Sequence, residues 1–583
     1  MLLIVIISMT LYANTLNNGF VYDDFITLVG NTFINNLNNL SSLFRLDVYF
    51  ASSGELTYRP IVTFTYLLDY AMFGLNPWGF HLVNTLLHVV NGVLLYTFLY
   101  LLIRRRWVSF ISALIFVTHP ALTEAVNAVS YREDLLAFLF YMTALNLFLT
   151  LGSSSGSRGS LIIYPLSCLS YLLALFSKEM AVTLPLIIFI YEWSYAKKPE
   201  LRSLLSNYRL IGLVIITLIF LLLRFTSLYN PFESGFFSWK LTERLYTIPW
   251  ILLNYLKLIS FPVSLSADHV FRPIASPSSP FFLLPLAAII VSLVMVFRIR
   301  KREKEIAFGA SFFFFTLLPV YNIIPLLVPF AERYLYLPMA GIAIIAGGLI
   351  NFISRAANTR DSISRNIAYL IPLAAIFAIN SMAVVNRNSV WKNNKSLCTD
   401  ASKKSPESSR IHNELGLVYH NEGQLGKAIG EFETAIKINP GYSDAYTNLG
   451  IAYHAMGRLD NAMHHLKEAV RLNPYHYGAH FGLGLVYYKI GRHDEAIQHY
   501  MTAIRLNPLY SMAHNNLGLL YAETERCEEA IRHFKTAIML EPAYITPRKN
   551  LADLYFKRGE YGKVIDEYIG ILKINPSDPT VFN

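Results

Sequence analysis

The chain has 583 residues, of which 54% are apolar and only 15% charged, with a net charge of +10. Mean hydropathy is +0.39, and because the C-terminal third has ordinary soluble composition, the rest is more apolar than that average. The basic excess does not describe a nucleic-acid-binding surface. Arg104-Arg105-Arg106, Lys197-Lys198 and Arg298-Ile299-Arg300-Lys301-Arg302 sit in short gaps between apolar runs, the placement that orients membrane helices with basic loops in the cytoplasm. Three cysteines (Cys168, Cys398, Cys527) show neither metal spacing nor a disulfide framework.

Before residue 390, apolar stretches with almost no charge recur, many of about 16–20 residues, long enough to cross hydrocarbon as helices. Leu82–Ile103, Leu135–Leu151, Leu210–Leu223 and Leu283–Phe297 are examples. Met1–Leu16 is similar to a signal-peptide core but lacks a basic flank and a small-residue cleavage site, and reads as a short first span. With basic loops cytoplasmic, loop 17–80 is exoplasmic, 81–103 runs inward, 107–118 outward, and loop 119–133 is exoplasmic. Helix 134–151 returns to a cytoplasmic Ser/Gly-rich segment, Ser153–Ser160 with Arg158. Helices 161–177 and 181–195 flank the next exoplasmic turn, Lys197–Arg209 is cytoplasmic, and 210–226 exits. Residues 245–262 are apolar enough to span but contain Pro249 and Lys257. A span there would put 298–304 outside, so 227–280 is placed outside with 245–262 as an interfacial or re-entrant helix. Helices 281–297, 306–318, 338–353 and 367–385 complete about eleven spans, with 298–305 and Arg355–Arg365 cytoplasmic. The remainder lies on the exoplasmic side, in a periplasm or outside the cell, or in the ER lumen of a eukaryote.

From residue 407 the pattern changes. Pro440, Pro474, Pro508, Pro542 and Pro576 stand 34 residues apart. Leu415-Gly416, Leu449-Gly450, Leu483-Gly484 and Leu517-Gly518 recur in phase, as do Tyr419, Tyr453, Tyr487, Tyr521 and Tyr555, and Ala428, Ala462, Ala496 and Ala530. These are the residues two antiparallel helices need to pack closely, and they form the tetratricopeptide (TPR) signature. The fifth unit is degenerate, with Ala552 for the Gly and Val564 for the Ala, as a capping repeat is. The fold class is all-α. A transmembrane domain occupies 1–390, a linker 391–406, five repeats 407–576 and a tail 577–583. Concave solenoids of this kind bind extended peptides, which makes an acceptor or partner protein the natural ligand of the array.

Ionisable residues gather in the exoplasmic loops at the membrane edge. Asp23-Asp24, directly after the first span, reads either as a general base with a tuning neighbour or as a solvated residue beside a helix cap. Arg59, Arg132, Lys178 and Arg333 are cations on the same face, suited to a phosphate through guanidinium or ammonium donors. Glu124 and Glu179 are their acidic neighbours, and His81 and His119 read as helix-end hydrogen bonders. Asp268-His269 lacks a third ligand, and no metal or other cofactor is demanded.

The ordered set Tyr22-Asp23-Asp24, Tyr58-Arg59-Pro60, His81-Leu82-Val83-Asn84, His119-Pro120, Thr123-Glu124-Ala125-Val126, Arg132, Ser177-Lys178-Glu179 and Glu332-Arg333-Tyr334-Leu335-Tyr336-Leu337-Pro338, followed by Trp391 and the repeats, closely resembles the transmembrane and TPR repeat-containing (TMTC) O-mannosyltransferases. These belong to the GT-C glycosyltransferase superfamily. The resemblance implies a GT-C-type helical domain that moves a sugar, mannose by analogy, from undecaprenyl- or dolichyl-phosphate to Ser or Thr hydroxyls of proteins at the exoplasmic face. It implies Asp23 as the base, with Asp24 second, and Arg333, Arg132, Lys178 and Arg59 as cations for the donor phosphate. The array of five repeats is shorter than in eukaryotic members. The alternative is a non-catalytic membrane-anchored TPR scaffold, for which eleven spans and a rim of charge are not needed.

Overall fold

The computed structural model describes residues 1–46, 49, 57–153, 160–195, 207–226, 228, 239–326, 328–356 and 363–575. The expected loops around Arg158 and Lys197-Lys198, most of the loop Arg355–Arg365, and the tail 577–583 lie outside the described residues. Every regular element among the described residues is a helix. The chain divides into two compact units, Met1–Ser405 and Pro406–Asn583.

Several apolar helices make the first unit a membrane domain. Among the described residues, four are long and apolar enough to cross a bilayer: Pro77–Ile103, Val129–Leu151, Tyr208–Thr226 and Pro280–Ile299. Arg106–Val117 with Pro120–Asn127, bent by 55°, has the geometry of a broken span or a re-entrant loop. Shorter apolar helices cover Leu2–Asn17, Leu161–Leu175 and Met339–Arg355. Among the described residues, fewer helices are long and apolar enough to cross than the eleven spans expected, and several apolar runs form shorter helices. Val129–Leu151 is central, with 61% of its apolar window buried, whereas Pro280–Ile299 buries 6% and presents its apolar surface outward. That surface suits lipid, where no penalty attaches to exposed hydrocarbon. Of the segment 245–262, residues 245–260 lie in one unbroken helix, Leu241–Ser260, which runs through Pro249 and buries Ile251, Leu252, Tyr255 and Leu258.

The segment 391–406, expected as a linker, is ordered and belongs to the first unit. Trp391 is fully buried, Asn393 caps the helix Asn394–Lys404 by accepting from the Ser396 N–H, and the Ser405 hydroxyl donates to the Asp268 carbonyl at 2.6 Å.

The second unit is five helix pairs: Ser409–Asn421 with Leu425–Ile438, Ser443–Ala455 with Leu459–Leu472, Tyr477–Lys489 with His493–Leu506, Ser511–Glu523 with Cys527–Leu540, and Ile545–Lys557 with Tyr561–Ile574. Within each pair the two helices meet at small residues, and a Cβ on Gly484 would lie 2.5 Å from the Tyr500 ring. A polar pair also recurs nineteen residues apart. It is His412–Glu431 at 2.6 Å in the first unit of the array, His480–His499 at 3.1 Å and His514–His533 at 3.0 Å in the third and fourth, and Arg548–Glu567 at 2.8 Å in the last.

In the membrane unit helices Lys304–Thr316 and Met339–Ala356 approach backbone to backbone. A Cβ on Gly341 would stand 2.6 Å from the Gly309 carbonyl oxygen and 2.6 Å from the Phe313 nitrogen, both backbone atoms that cannot yield without moving a helix. Small residues at such crossings let membrane helices gain van der Waals contact. Gly341→Ala is therefore expected to lower the thermal midpoint of the detergent-solubilised protein, by about 1–3 kcal/mol of overpacking. Gly430→Ala, where a Cβ meets nothing within 4 Å, is the control that leaves it unchanged or raises it.

Candidate active site on the first loop of the membrane unit

The loop after the first helix turns at Tyr22, whose φ of +55° is in the left-handed region. A bulky residue there is strained and persists only when its surroundings hold it. The Tyr22 N–H donates to the Asn394 side chain at 2.7 Å, from the helix of the supposed linker. The turn sends the two following carboxylates to different places. Asp24 is fully buried and accepts from two backbone amides, Val21 at 3.0 Å and Ser130 at 2.7 Å. Burial pushes its carboxyl up to about 6, against the lowering effect of those two amides. Asp23 is only partly buried and accepts from the Tyr131 hydroxyl at 2.7 Å.

Tyr131 connects this acid to a cation. The Arg333 guanidinium lies over the Tyr131 ring, 4.0 Å from its centroid, and 5.1 Å from that of Tyr334. Glu124, almost wholly buried, holds Arg333 from both sides of the residue: the backbone N–H donates to Oε2 at 2.9 Å and a terminal nitrogen to Oε1 at 2.7 Å. Asp23, Tyr131, Arg333 and Glu124 therefore form one contiguous cluster. The Arg333 side chain remains 11% exposed, enough to meet a ligand from the surface.

The remaining charges form a second network that touches the first at Tyr334, whose ring centroid is 5.4 Å from Lys178 Nζ. Lys178 donates to Asp134 at 2.6 Å and pairs with Glu133 at 3.1 Å. Burial opposes its charge, but Asp134 and Glu133 outweigh it and the amine is raised. Arg59 bridges Glu133 and Glu179, and Arg224 meets Glu179 from the other side at 3.2 Å. Burial pushes Glu179 up, yet Arg59 and Arg224 prevail and hold it at about 2. Three cations face three carboxylates, so the network is neutral.

Arg132, expected among the phosphate-binding cations, is instead an interior anchor. It is fully buried, paired with Asp69 at 2.6 Å, and donates to Asn84 at 2.7 Å, Thr65 at 3.2 Å and the Phe80 carbonyl at 3.1 Å. His119 accepts from the Ala121 N–H at 3.2 Å and bonds the Ile259 carbonyl at 3.0 Å, and His81 bonds the Gly19 carbonyl at 3.3 Å, both as structural links. His269 donates to Glu332 at 3.0 Å. Glu332 is fully buried and also accepts from the Ser266 N–H at 2.6 Å. Among the described residues no group of three or more His, Cys, Asp or Glu side chains is arranged to hold a metal. Sequence reasoning missed Asp69, Tyr131 as a connector, and Asn394. Only Asp69 carries a signal that would have found it: it is a lone acid within the otherwise apolar helix Pro60–Phe73.

The repeat region matches models described as TPR repeat over residues 416–457 and 484–525, and as tetratricopeptide repeat over 443–476 and 513–544. Protein O-mannosyl-transferase F38B6.6 of Caenorhabditis elegans is 27% identical over 463 residues, covering 76% of this chain and 63% of its own length. Protein O-mannosyl-transferase TMTC3 of Homo sapiens is 26% identical over 475 residues, covering 74% of this chain and 50% of its own. Coverage of that extent exceeds either unit alone, so the similarity takes in membrane helices and repeats together. The chain is TMTC-like. It spans between half and just under two thirds of the length of these relatives. A solved structure of a thermophilic TPR protein in Thermus thermophilus is 25% identical with a TM-score of 0.28, covering 30% of this chain and 95% of that one.

The buried Asp24 yields a pH dependence. Its folded-state value, about 6, lies above the ordinary Asp range, so between about pH 4 and 6 the folded chain binds more protons than the unfolded one. The contribution of this group to stability therefore falls as pH rises through that window, by up to about 3 kcal/mol. Thermal midpoints of wild type and Asp24→Asn, measured from pH 4 to 8, are expected to differ by an amount that varies with pH across this window and levels off above it.

Proposed function

We propose that the chain is an integral-membrane glycosyltransferase that moves a sugar, mannose by its similarity to TMTC proteins, from a polyprenyl-phosphate carrier to Ser or Thr hydroxyls of a protein acceptor at the exoplasmic face. The observation that carries this reading is the Asp23–Tyr131–Arg333 arrangement, a partly exposed carboxylate linked through one ring to a cation. Asp23 takes the proton of the acceptor hydroxyl. The freed oxygen attacks the anomeric carbon, the bond to the carrier phosphate breaks, and the anomeric configuration inverts. Arg333 binds the phosphate as its charge grows, with greater effect in a dry site than in water. Asp24 is too buried to reach a substrate and serves as scaffold. Lys178 and Arg59 bound the rim as a neutral network, leaving Arg333 as the leading phosphate cation. The repeats, on the same side of the membrane, hold the acceptor polypeptide.

Asp23→Asn is expected to lower transfer from dolichyl- or undecaprenyl-phosphate mannose by at least about 100-fold, the usual contribution of a general base, with membrane insertion intact. Arg333→Ala is expected to raise the donor KM and lower kcat together, since an interaction present in the ground state and strengthened in the transition state is lost. Full activity in Asp23→Asn would remove the base assignment, whereas no transfer by well-folded wild type or mutant would favour a scaffold. Truncation after Ser405, at the boundary between the units, is expected to reduce transfer to folded proteins far more than transfer to a short Ser/Thr peptide. Equal losses would deny the repeats a role in acceptor binding.

A further inference from the structure

We infer that Tyr131 is the positioning residue that couples the two halves of this chemistry: its hydroxyl aims the base, and its ring seats the phosphate-binding cation. The inference rests on the proposed roles of Asp23 and Arg333.

Three observations support it. First, the phenol donates to Asp23 Oδ2 at 2.7 Å. A donor at that distance fixes the direction of the carboxylate that takes the hydroxyl proton. Second, the same ring lies 4.0 Å from the Arg333 guanidinium, an aromatic face directed at a cation that needs one fixed plane to receive phosphate oxygens. Third, Tyr131 has little freedom to do otherwise. It is 6% exposed. The residue before it, Ser130, is fastened through its N–H to Asp24 at 2.7 Å, and Val129 through its carbonyl to the Tyr66 hydroxyl at 2.8 Å. The base and its positioning residue are thus joined twice, once through Asp24 in the backbone and once through the phenol. The hydroxyl and the ring act on different substrates, acceptor and donor, so they are separable by substitution.

The test uses the full-length chain in nanodiscs with dolichyl-phosphate mannose and a Ser/Thr peptide, comparing wild type, Tyr131→Phe, Tyr131→Leu and Asp23→Asn. Tyr131→Phe keeps the ring and removes the hydroxyl. It is expected to lower kcat about 10- to 100-fold with donor KM within about twofold. Tyr131→Leu removes both and is expected to lower kcat to the same degree and also to raise donor KM by about tenfold. In the Asp23→Asn background, Tyr131→Phe is expected to add no further loss. Dolichyl phosphate alone, followed as a ligand-induced rise in thermal midpoint, is expected to stabilise Tyr131→Phe as well as wild type and Tyr131→Leu less. A kcat in Tyr131→Phe within twofold of wild type, with Asp23→Asn inactive, overturns the inference while leaving the proposed base intact. Wild-type rates in Asp23→Asn overturn the base assignment itself, whatever Tyr131 does. Equal donor KM and equal thermal response in the Leu and Phe variants would show that the ring does not seat Arg333.

Discussion

The membrane unit's polar face depends on one carboxylate buried without a cation. Asp24 is fully enclosed, and its two strongest partners are backbone amides of segments far apart in sequence, Val21 and Ser130. Backbone N–H groups stabilise a buried anion without side-chain entropy and without attracting the neighbouring charges. The arrangement leaves Asp23 at the surface of the cluster while its backbone, strained at Tyr22, is held by Asp24 on one side and Asn394 on the other. The strain is local, and the restraint comes from the elements carrying Ser130 and Asn394.

Around this anchor the charges divide by burial. Arg132 and Asp69 are deep, and removing either leaves an uncompensated charge, which typically costs about 3–5 kcal/mol. Arg59, Arg224 and Lys178 face Glu179, Glu133 and Asp134 in equal number. Neutrality of this kind matters beside a bilayer, where unpaired charge has little water to turn to. Each of these cations is held by at least one acid, and Glu133 and Glu179 are each shared between two cations. Arg333 lies closer over an aromatic ring, 4.0 Å from that of Tyr131 against 5.4 Å for Lys178 over Tyr334, and a ring can share its cation with an incoming anion without being left charged.

The legible part of the site is the part written in local sequence. Asp23-Asp24, Glu124 and Arg333 stand out because acids and arginines are conspicuous beside apolar runs, and the 34-residue repeat declares its helix pairs outright. What sequence order hid is pairing at long range. Tyr131 meets Asp23 across 108 positions and Glu124 meets Arg333 across 209, and no periodicity encodes such a contact. Arg132 misled for a related reason. Tyr131-Arg132-Glu133-Asp134 reads as a polar loop, but the span Val129–Leu151 already includes it, and one residue's rotation along a helix carries Arg132 inward while Tyr131 faces the rim. The same limit applies to 391–406: its polar composition reads as a linker, whereas buried Trp391 and Leu397 tie it to the membrane unit.

Charge conservation explains why base and cation share a ring in the proposed reaction. A sugar phosphodiester carries one negative charge, and the departing carrier monoester carries up to two. Asp23 carries one negative charge before it takes the hydroxyl proton and none afterwards. The charge that leaves Asp23 therefore reappears on the phosphate, and the total around Arg333 stays constant through the step. With Glu124 fixed behind it, Arg333 has one permanent counter-ion and sees one negative charge migrate across the Tyr131 ring, from the side of the acid to the side of the donor. An environment that keeps its net charge during reaction needs little reorganisation, and that is the condition under which preorganised electrostatics lower a barrier most. Separate sites for base and cation would forfeit this compensation, since each would gain or lose a full charge in a medium of low polarity.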